Sequence, residues 1–207
     1  IGLNYTCFGA ADTFLIHVLP LPNVTVPSNL TLCNGSTSTA ITLNGTATSI
    51  SWSNATTSIG LGSGGLDTIP SFTASNSSGT VLASLISLQP SYTAYGLTCQ
   101  APNTDFEIFV LPTSSIDTLN NQYLCHQCGS TGINFSGTAN LWNWTNNNPT
   151  IGLPPNGVGM LPAFTAQNNN PFPNTAIISI SSFYQLNGLN CPGEIDSFLI
   201  VVAPQTT

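Results

Sequence analysis

No lysine and no arginine occurs anywhere in the 207 residues, and the charged complement is seven acids, Asp12, Asp67, Asp105, Glu107, Asp117, Glu194 and Asp196, beside two histidines. Nucleic acid and anionic membrane surfaces are held through Lys and Arg, so a chain of formal net charge -7 is repelled by both. Carboxylate pairs with Lys or Arg are impossible, and stability falls to apolar burial, backbone ladders and disulfides. The strong helix formers are also missing, with Glu present only twice, while Gly, Pro and Asn interrupt every stretch. Helix is therefore expected to be nearly absent. No apolar run approaches the ~20 residues of a membrane-spanning helix. At 41% hydrophobic residues the composition is that of a folding chain.

What is present is a repeat. Cys33, Gly45, Trp52, Ile59-Gly60-Leu61, Pro70, Phe72, Cys99, Phe106, Ile108, Val110 and Pro112 all recur 92 residues later, without a gap, from Cys125 to Pro204. The same shift taken backwards lands on Cys7, Phe14, Ile16, Val18 and Pro20. Residues 1-20 thus read as the last strand region of an earlier copy, followed by repeats at 21-112 and 113-207, a window on a longer array. Each repeat is long enough to bury its own core, which favours beads on a string over a continuous solenoid.

Within each copy the periodicity is that of strands. In Phe14-Leu15-Ile16-His17-Val18, Phe106-Glu107-Ile108-Phe109-Val110 and Phe198-Leu199-Ile200-Val201-Val202, alternate large apolar residues keep their identity while the positions between them vary. Ile50-Ser51-Trp52 and Trp142-Asn143-Trp144 alternate likewise. About seven short strands per copy, with Gly, Asn and Pro turns and a tryptophan in an early central strand, fit an all-β immunoglobulin-like sandwich, with a jelly roll or barrel as the alternative.

The runs Leu32-Cys33-Asn34-Gly35, Leu43-Asn44-Gly45-Thr46, Trp52-Ser53-Asn54, Ile59-Gly60-Leu61, Ile69-Pro70-Ser71-Phe72-Thr73-Ala74 and Gly96-Leu97-Thr98-Cys99 resemble the PKD-like and immunoglobulin-like tandem repeats of giant secreted surface proteins of Bacteroidota. The resemblance implies β-sandwiches in a long extracellular array with adhesive, gliding-associated or fibre-forming roles, and no catalytic residue or cofactor. The chain departs from the pattern at Leu124-Cys125-His126-Gln127-Cys128, where the glycine is displaced and a cysteine added.

Six cysteines in such a chain point to an oxidising compartment. Two pairings obey the repeat: Cys33–Cys99 with Cys125–Cys191 inside copies, or Cys7–Cys33 with Cys99–Cys125 between them. The first is preferred because each domain is then self-contained, with Cys7 bonded to a cysteine upstream or in another chain. Cys128 stands where the first copy has Ser36, and is expected to be unpaired or to cross-link. Cys125-His126-Gln127-Cys128 has the spacing of a redox or zinc motif, yet the chain shows neither a βαβ unit nor two further clustered ligands. Acids sit near the start of the last strand in every copy, Asp12, then Asp105 and Glu107, then Glu194 and Asp196, a placement that suits calcium at a domain junction, in looser spacing than calcium loops use.

Nine Asn-x-Ser/Thr sequons begin at Asn4, Asn23, Asn29, Asn34, Asn44, Asn54, Asn76, Asn134 and Asn143. Thr68 and Thr118, within Asp-Thr-Ile and Asp-Thr-Leu, resemble the O-glycosylation acceptor of Bacteroidota. The functional expectation is a structural segment of an extracellular filament, stalk or cell-surface adhesin, whose partners are copies of itself, further repeats, glycans or other surface components. Two alternatives stand beside it. Tyr92, Tyr95, Tyr123 and Tyr184 could make a glycan-binding accessory module of a secreted hydrolase, or residues 1-20 could complete a sandwich in a neighbouring chain. A first outcome follows from composition alone: trypsin leaves even the denatured chain at full length, as an intact-mass measurement after digestion will read.

Overall fold

A computed structural model of the chain describes residues 1-4 and 9-205. The strands, in chain order, are β1 (Leu30–Cys33), β2 (Ile41–Thr42), β3 (Ser49–Asn54), β4 (Gly64–Leu66), β5 (Thr68–Ile69), β6 (Leu82–Ala94), β7 (Leu97–Gln100) and β8 (Thr104–Leu111). They are followed by β9 (Gln122–Leu124), β10 (Leu141–Asn146), β11 (Asn156–Val158), β12 (Asn174–Leu186) and β13 (Leu189–Val202). Among the described residues the helical elements are two single 3-10 turns, Thr57–Ile59 and Pro149–Ile151, each closed by a left-handed glycine. The expected all-β immunoglobulin-like sandwich is what forms.

Two sheets carry the two repeats. The first has the order β1-β8-β6-β3-β4 with β7 on the far end of β6; the second has the order β11-β10-β12-β13-β9. In both, a short strand at one edge runs parallel to the last strand of its copy, Leu30 to Cys33 against Ile108 to Leu111 and Gln122 to Leu124 against Ile200 to Val202. The inward faces are the ones alternation picked out. Trp52, Ile86, Leu88, Phe106, Ile108 and Val110 are buried under Leu43, Ile59, Leu61, Ile69 and Phe72. Trp144, Ile178, Ile180, Phe198, Ile200 and Val202 are buried under Phe135, Ile151, Leu153, Leu161 and Ala166. The opposing layer is slight: β2 pairs with β5 in the first copy, and isolated bridges Ile133↔Leu161 and Gly129↔Thr165 take their place in the second.

The strand expected at 14-18 does not form. Residues 9-20 carry no sheet pairing, and Phe14, Ile16 and Val18 are exposed. Their counterparts Phe106, Ile108 and Val110 lie in β8, held between β1 and β6, whereas residues 9-20 meet no such partners among the described residues. An unpaired strand in water has neither a ladder nor a face to bury.

Two of the nine sequons lie in the interior. The Asn54 amide donates to the carbonyls of Leu61 (2.8 Å) and Gly62 (3.1 Å), while its oxygen accepts from Thr56 N–H at 3.0 Å. Asn76 donates to Thr80 O (2.8 Å) and Val110 O (2.7 Å) and accepts from Ser78 N–H at 2.9 Å. Both side chains are buried. A glycan on either nitrogen would replace a donor the loop needs and would have no room. The second copy repeats the arrangement: Asn146 reaches Leu153 O and Pro154 O, and Asn168 reaches Phe172 O and Val202 O. These asparagines pin the loops between strands, a task for which no charged donor exists. Replacing Asn76 by Ala strands two carbonyls, one of them buried, and is expected to cost about 2 to 3 kcal/mol in denaturant unfolding, against less than ~1 kcal/mol for Asn44→Ala at an exposed sequon.

Candidate functional site: the joint between sandwiches

The long hairpins define the two ends of each sandwich. β6 turns into β7 through Tyr95 and Gly96, and β12 into β13 through Asn187 and Gly188. All four turn residues have positive φ, between 51° and 80°, the backbone of the two-residue hairpin turn whose twist matches its strands. Asn and Gly adopt that conformation readily; Tyr95 does so at a cost. Each hairpin carries one cysteine opposite a tyrosine, Cys99 across from Tyr92 and Cys191 across from Tyr184. At the other end of the sheet, Cys33 ends β1 opposite Leu111, and Cys125 follows β9.

This polarity corrects the expected pairings. Val110 lies opposite Leu82 and Cys99 opposite Tyr92, so ten residues of β6, roughly 33 Å at strand rise, separate the ends bearing Cys33 and Cys99. A disulfide needs Cα atoms about 4.4 to 6.8 Å apart. The same count along β12, from Asn174 opposite Val202 to Tyr184 opposite Cys191, excludes Cys125–Cys191. Cys33 is bonded instead to Cys191 of the following sandwich, with Cα atoms 5.5 Å apart. The trailing end of one unit meets the leading hairpin of the next, and the bond skips the three cysteines between, Cys99, Cys125 and Cys128. Neither expected scheme contains it. Cys7 lies outside the described residues, while Cys99, Cys125 and Cys128 carry free thiols.

Polar contacts surround the bond. Asn187 Nδ2 at the hairpin tip donates to Thr31 Oγ1 on β1 at 3.1 Å, and Asn34 Nδ2 donates to Thr113 Oγ1 in the connecting segment at 2.8 Å. That segment is itself buried at Leu111, Pro112 and Ser114. Ser114 Oγ reaches Ser182 O at 3.0 Å, and a Cβ on Gly193 would fall 2.0 Å from Ser114 O, so glycine is required where hairpin and connection cross. The two sandwiches therefore share two covalent attachments, the main chain and the disulfide. In the chain-entropy treatment, closing a loop with a sequence separation of 158 is worth about 5 kcal/mol.

The other expected sites separate. Cys125 and Cys128 lie within reach of one another, and the Cys125 thiol is raised by the hydrogen bond to Cys128, then by its charge and by desolvation. A nucleophilic cysteine is shifted the opposite way. His126 occupies the place of Asn34 and does the same work: its Nδ1 accepts from Asn168 N–H at 2.9 Å, as Asn34 Oδ1 accepts from Asn76 N–H at 2.8 Å. Asp105 and Glu107 lie on β8, with Asp105 bonded to Ser87, and Glu194 and Asp196 lie on β13. Among the described residues no three acidic, His or Cys side chains come together as a metal site would require. Of the four tyrosines, Tyr95 and Tyr123 are exposed, on a hairpin tip and on β9, and the described contacts gather no aromatic platform. Thr31, Asn187 and Ser114 were not singled out by the sequence, since their counterparts Tyr123, Tyr95 and Pro22 differ in type.

No known protein family and no curated protein matches this sequence. Among solved structures, Sidekick-1 immunoglobulin domains 1-5 align over 91% of this chain at 14% identity with a TM-score of 0.46. This chain spans 40% of that one. Human protocadherin-24 EC1-2 aligns over 89% of this chain and 98% of its own length at 10% identity, TM-score 0.42, and Drosophila N-cadherin EC1-4 over 90% of this chain and 50% of its own length at 12% identity, TM-score 0.38.

The joint makes a definite prediction. Non-reducing peptide mapping should recover Cys33 joined to Cys191. Replacing both by Ser should leave the tryptophan emission of the two cores unchanged while widening the distribution of interdomain distances in small-angle scattering. An unchanged scattering profile would show that the disulfide does not set the joint.

Proposed function

We propose that the chain is a structural segment of an extracellular filament or surface stalk, of the kind built by giant secreted proteins of Bacteroidota, in which sandwiches are laid end to end and locked. The carrying observation is the Cys33–Cys191 bond across a buried connection. A module that only has to bind needs its neighbours on a flexible tether, because separate domains move by default. Two covalent attachments and a buried Ser114 oppose that movement and transmit tension through the backbone and through sulfur.

An oxidising, extracellular setting agrees with the disulfide. No helix of the described residues is long and apolar enough to cross a membrane. In this reading glycans sit on the exposed sequons Asn4, Asn23, Asn29, Asn44, Asn134 and Asn143 and on Thr68 and Thr118, shielding a surface with few charges and masking strand edges. Asn34 is spared, because its amide is engaged by Thr113 in the joint. The role needs no catalytic residue or cofactor, and its partners are further repeats and components of the surface that carries the filament.

Negative-stain images of the native material should show unbranched fibres with a beaded repeat, and its intact mass should exceed the polypeptide mass by whole sugar units. Monodisperse compact particles would refute the filament.

A further inference from the structure

The joint has two unused halves. Every sandwich presents a hairpin cysteine at its leading end and an edge cysteine at its trailing end, and the observed bond uses one of each, Cys33 from the first unit and Cys191 from the second. What remains is the leading cysteine of the first unit, Cys99, and the trailing cysteine of the second, Cys125, both free. They are the repeat counterparts of the bonded pair, 92 residues from Cys191 and Cys33.

The surroundings of both are built for the same contact. At the observed joint Asn187, on the hairpin tip, meets Thr31 of β1, which lies beside Phe109 of β8. Shifted back one repeat, Asn187 becomes Tyr95 and Phe109 becomes His17, and these two rings are stacked with centroids 4.0 Å apart and planes at 23°. The first unit's hairpin thus already touches a residue of the preceding copy's last segment at the place its counterpart touches β1 and β8. Shifted forward, Thr31 becomes Tyr123, exposed beside Cys125. Next to Cys125, an open cleft of about 210 Å³ is bounded by His126, Ala203, Pro204 and Gln205, at the trailing end where Cys33 and Asn34 receive the second unit. A sandwich docked there as the second unit docks on the first brings its hairpin tyrosine onto Tyr123 and its hairpin cysteine onto Cys125.

We infer that Cys125 forms a disulfide with the hairpin cysteine of a further sandwich of this repeat, and Cys99 with the trailing cysteine of a preceding one, so that a second copy of this chain joins the first through Cys125–Cys99. The inference rests on the filament reading and names its linkage. In each bond one S–S forms and two S–H bonds break. The two protons and two electrons pass to a low-molecular-weight disulfide oxidant, whose own S–S bond breaks to give two thiols. The surfaces joined are different on the two sides, so the contact does not close on itself and continues as an open chain. Residues 9-20 of the incoming copy carry no sheet pairing, and docking exchanges the His17–Tyr95 stack for the Tyr95–Tyr123 contact.

The test uses the full chain with Cys7→Ser and Cys128→Ser throughout. The second change restores the serine of the first copy and removes the thiol competing for Cys125. One variant adds Cys99→Ser and the other Cys125→Ser; each is oxidised with glutathione disulfide, alone and mixed. The expected result is a covalent heterodimer in the mixture, mapped to Cys125–Cys99, with each variant alone at least tenfold less dimerised, and a several-fold slower reaction with Tyr123→Ser. Equal amounts of homodimer and heterodimer, or no dimer in the mixture, would overturn the inference. Small-angle scattering of the monomeric variants reads the locked two-sandwich rod independently, so failure to couple and failure of the filament reading give different outcomes.

Discussion

A chain without lysine or arginine has to satisfy the carbonyls at the ends of its sheets with uncharged donors, and the whole molecule is organised by that constraint. Where other proteins would use Lys or Arg to tie a loop across strand ends, this one buries an asparagine amide that donates twice and accepts at least once: Asn54 and Asn146 behind the 3-10 turns, Asn76 and Asn168 behind the last strands. Such amides are neutral, so burying them costs little beyond the hydrogen bonds they recover. These loops bracket the inner face on which Trp52, Phe106 and Ile108 pack, and their fixation sets the ends that meet at the joint.

The joint follows from direction rather than from affinity. Each sandwich is polar along its strands, hairpin leading and β1-type edge trailing, and consecutive units in one chain must therefore meet unlike end to unlike end. A disulfide placed there constrains orientation as well as distance, because the connecting segment Leu111 to Ser114 is already held by Ser182 and by the close approach to Gly193. One attachment leaves a hinge. Two leave much less freedom, and that is the mechanical content of the structure.

The sequence made the repeat, the inner faces of β3, β8, β10 and β13, and the absence of helix legible, because alternation and propensity act over a few residues. The cysteine pairing was not legible, since the period says which residues are equivalent but not at which end of a sheet they lie. One signal was present and unread. Asn54 and Asn76 keep their identity as Asn146 and Asn168, although the Ser or Thr that completes a sequon is lost in the second copy. An asparagine preserved without its sequon is kept for its amide, and the structure places all four in the interior. Asn23, Asn44, Asn134 and Asn143, by contrast, change type between copies and are exposed.

The two sandwiches are not equally finished, and the joint bears on the difference. In the first, β2 and β5 close the opposing layer and Trp52 Nε1 donates to Thr68 O at 2.9 Å. In the second, a cavity of about 220 Å³ opens between Leu124, Ile133, Phe164 and Ile200, and the buried indole nitrogens of Trp142 and Trp144 find no acceptor among the described residues. Each unpaired donor costs about 1 to 3 kcal/mol, and the first sandwich leaves one such group, Thr104 Oγ1, against two here, so by this count the second core is the weaker one. Its sheet is built on the β12–β13 hairpin, and Cys191 fastens that hairpin to the better-closed unit. The bond thus restrains the strands on which the less stable core depends, and the same hairpin that orients the joint carries support from one sandwich to the next.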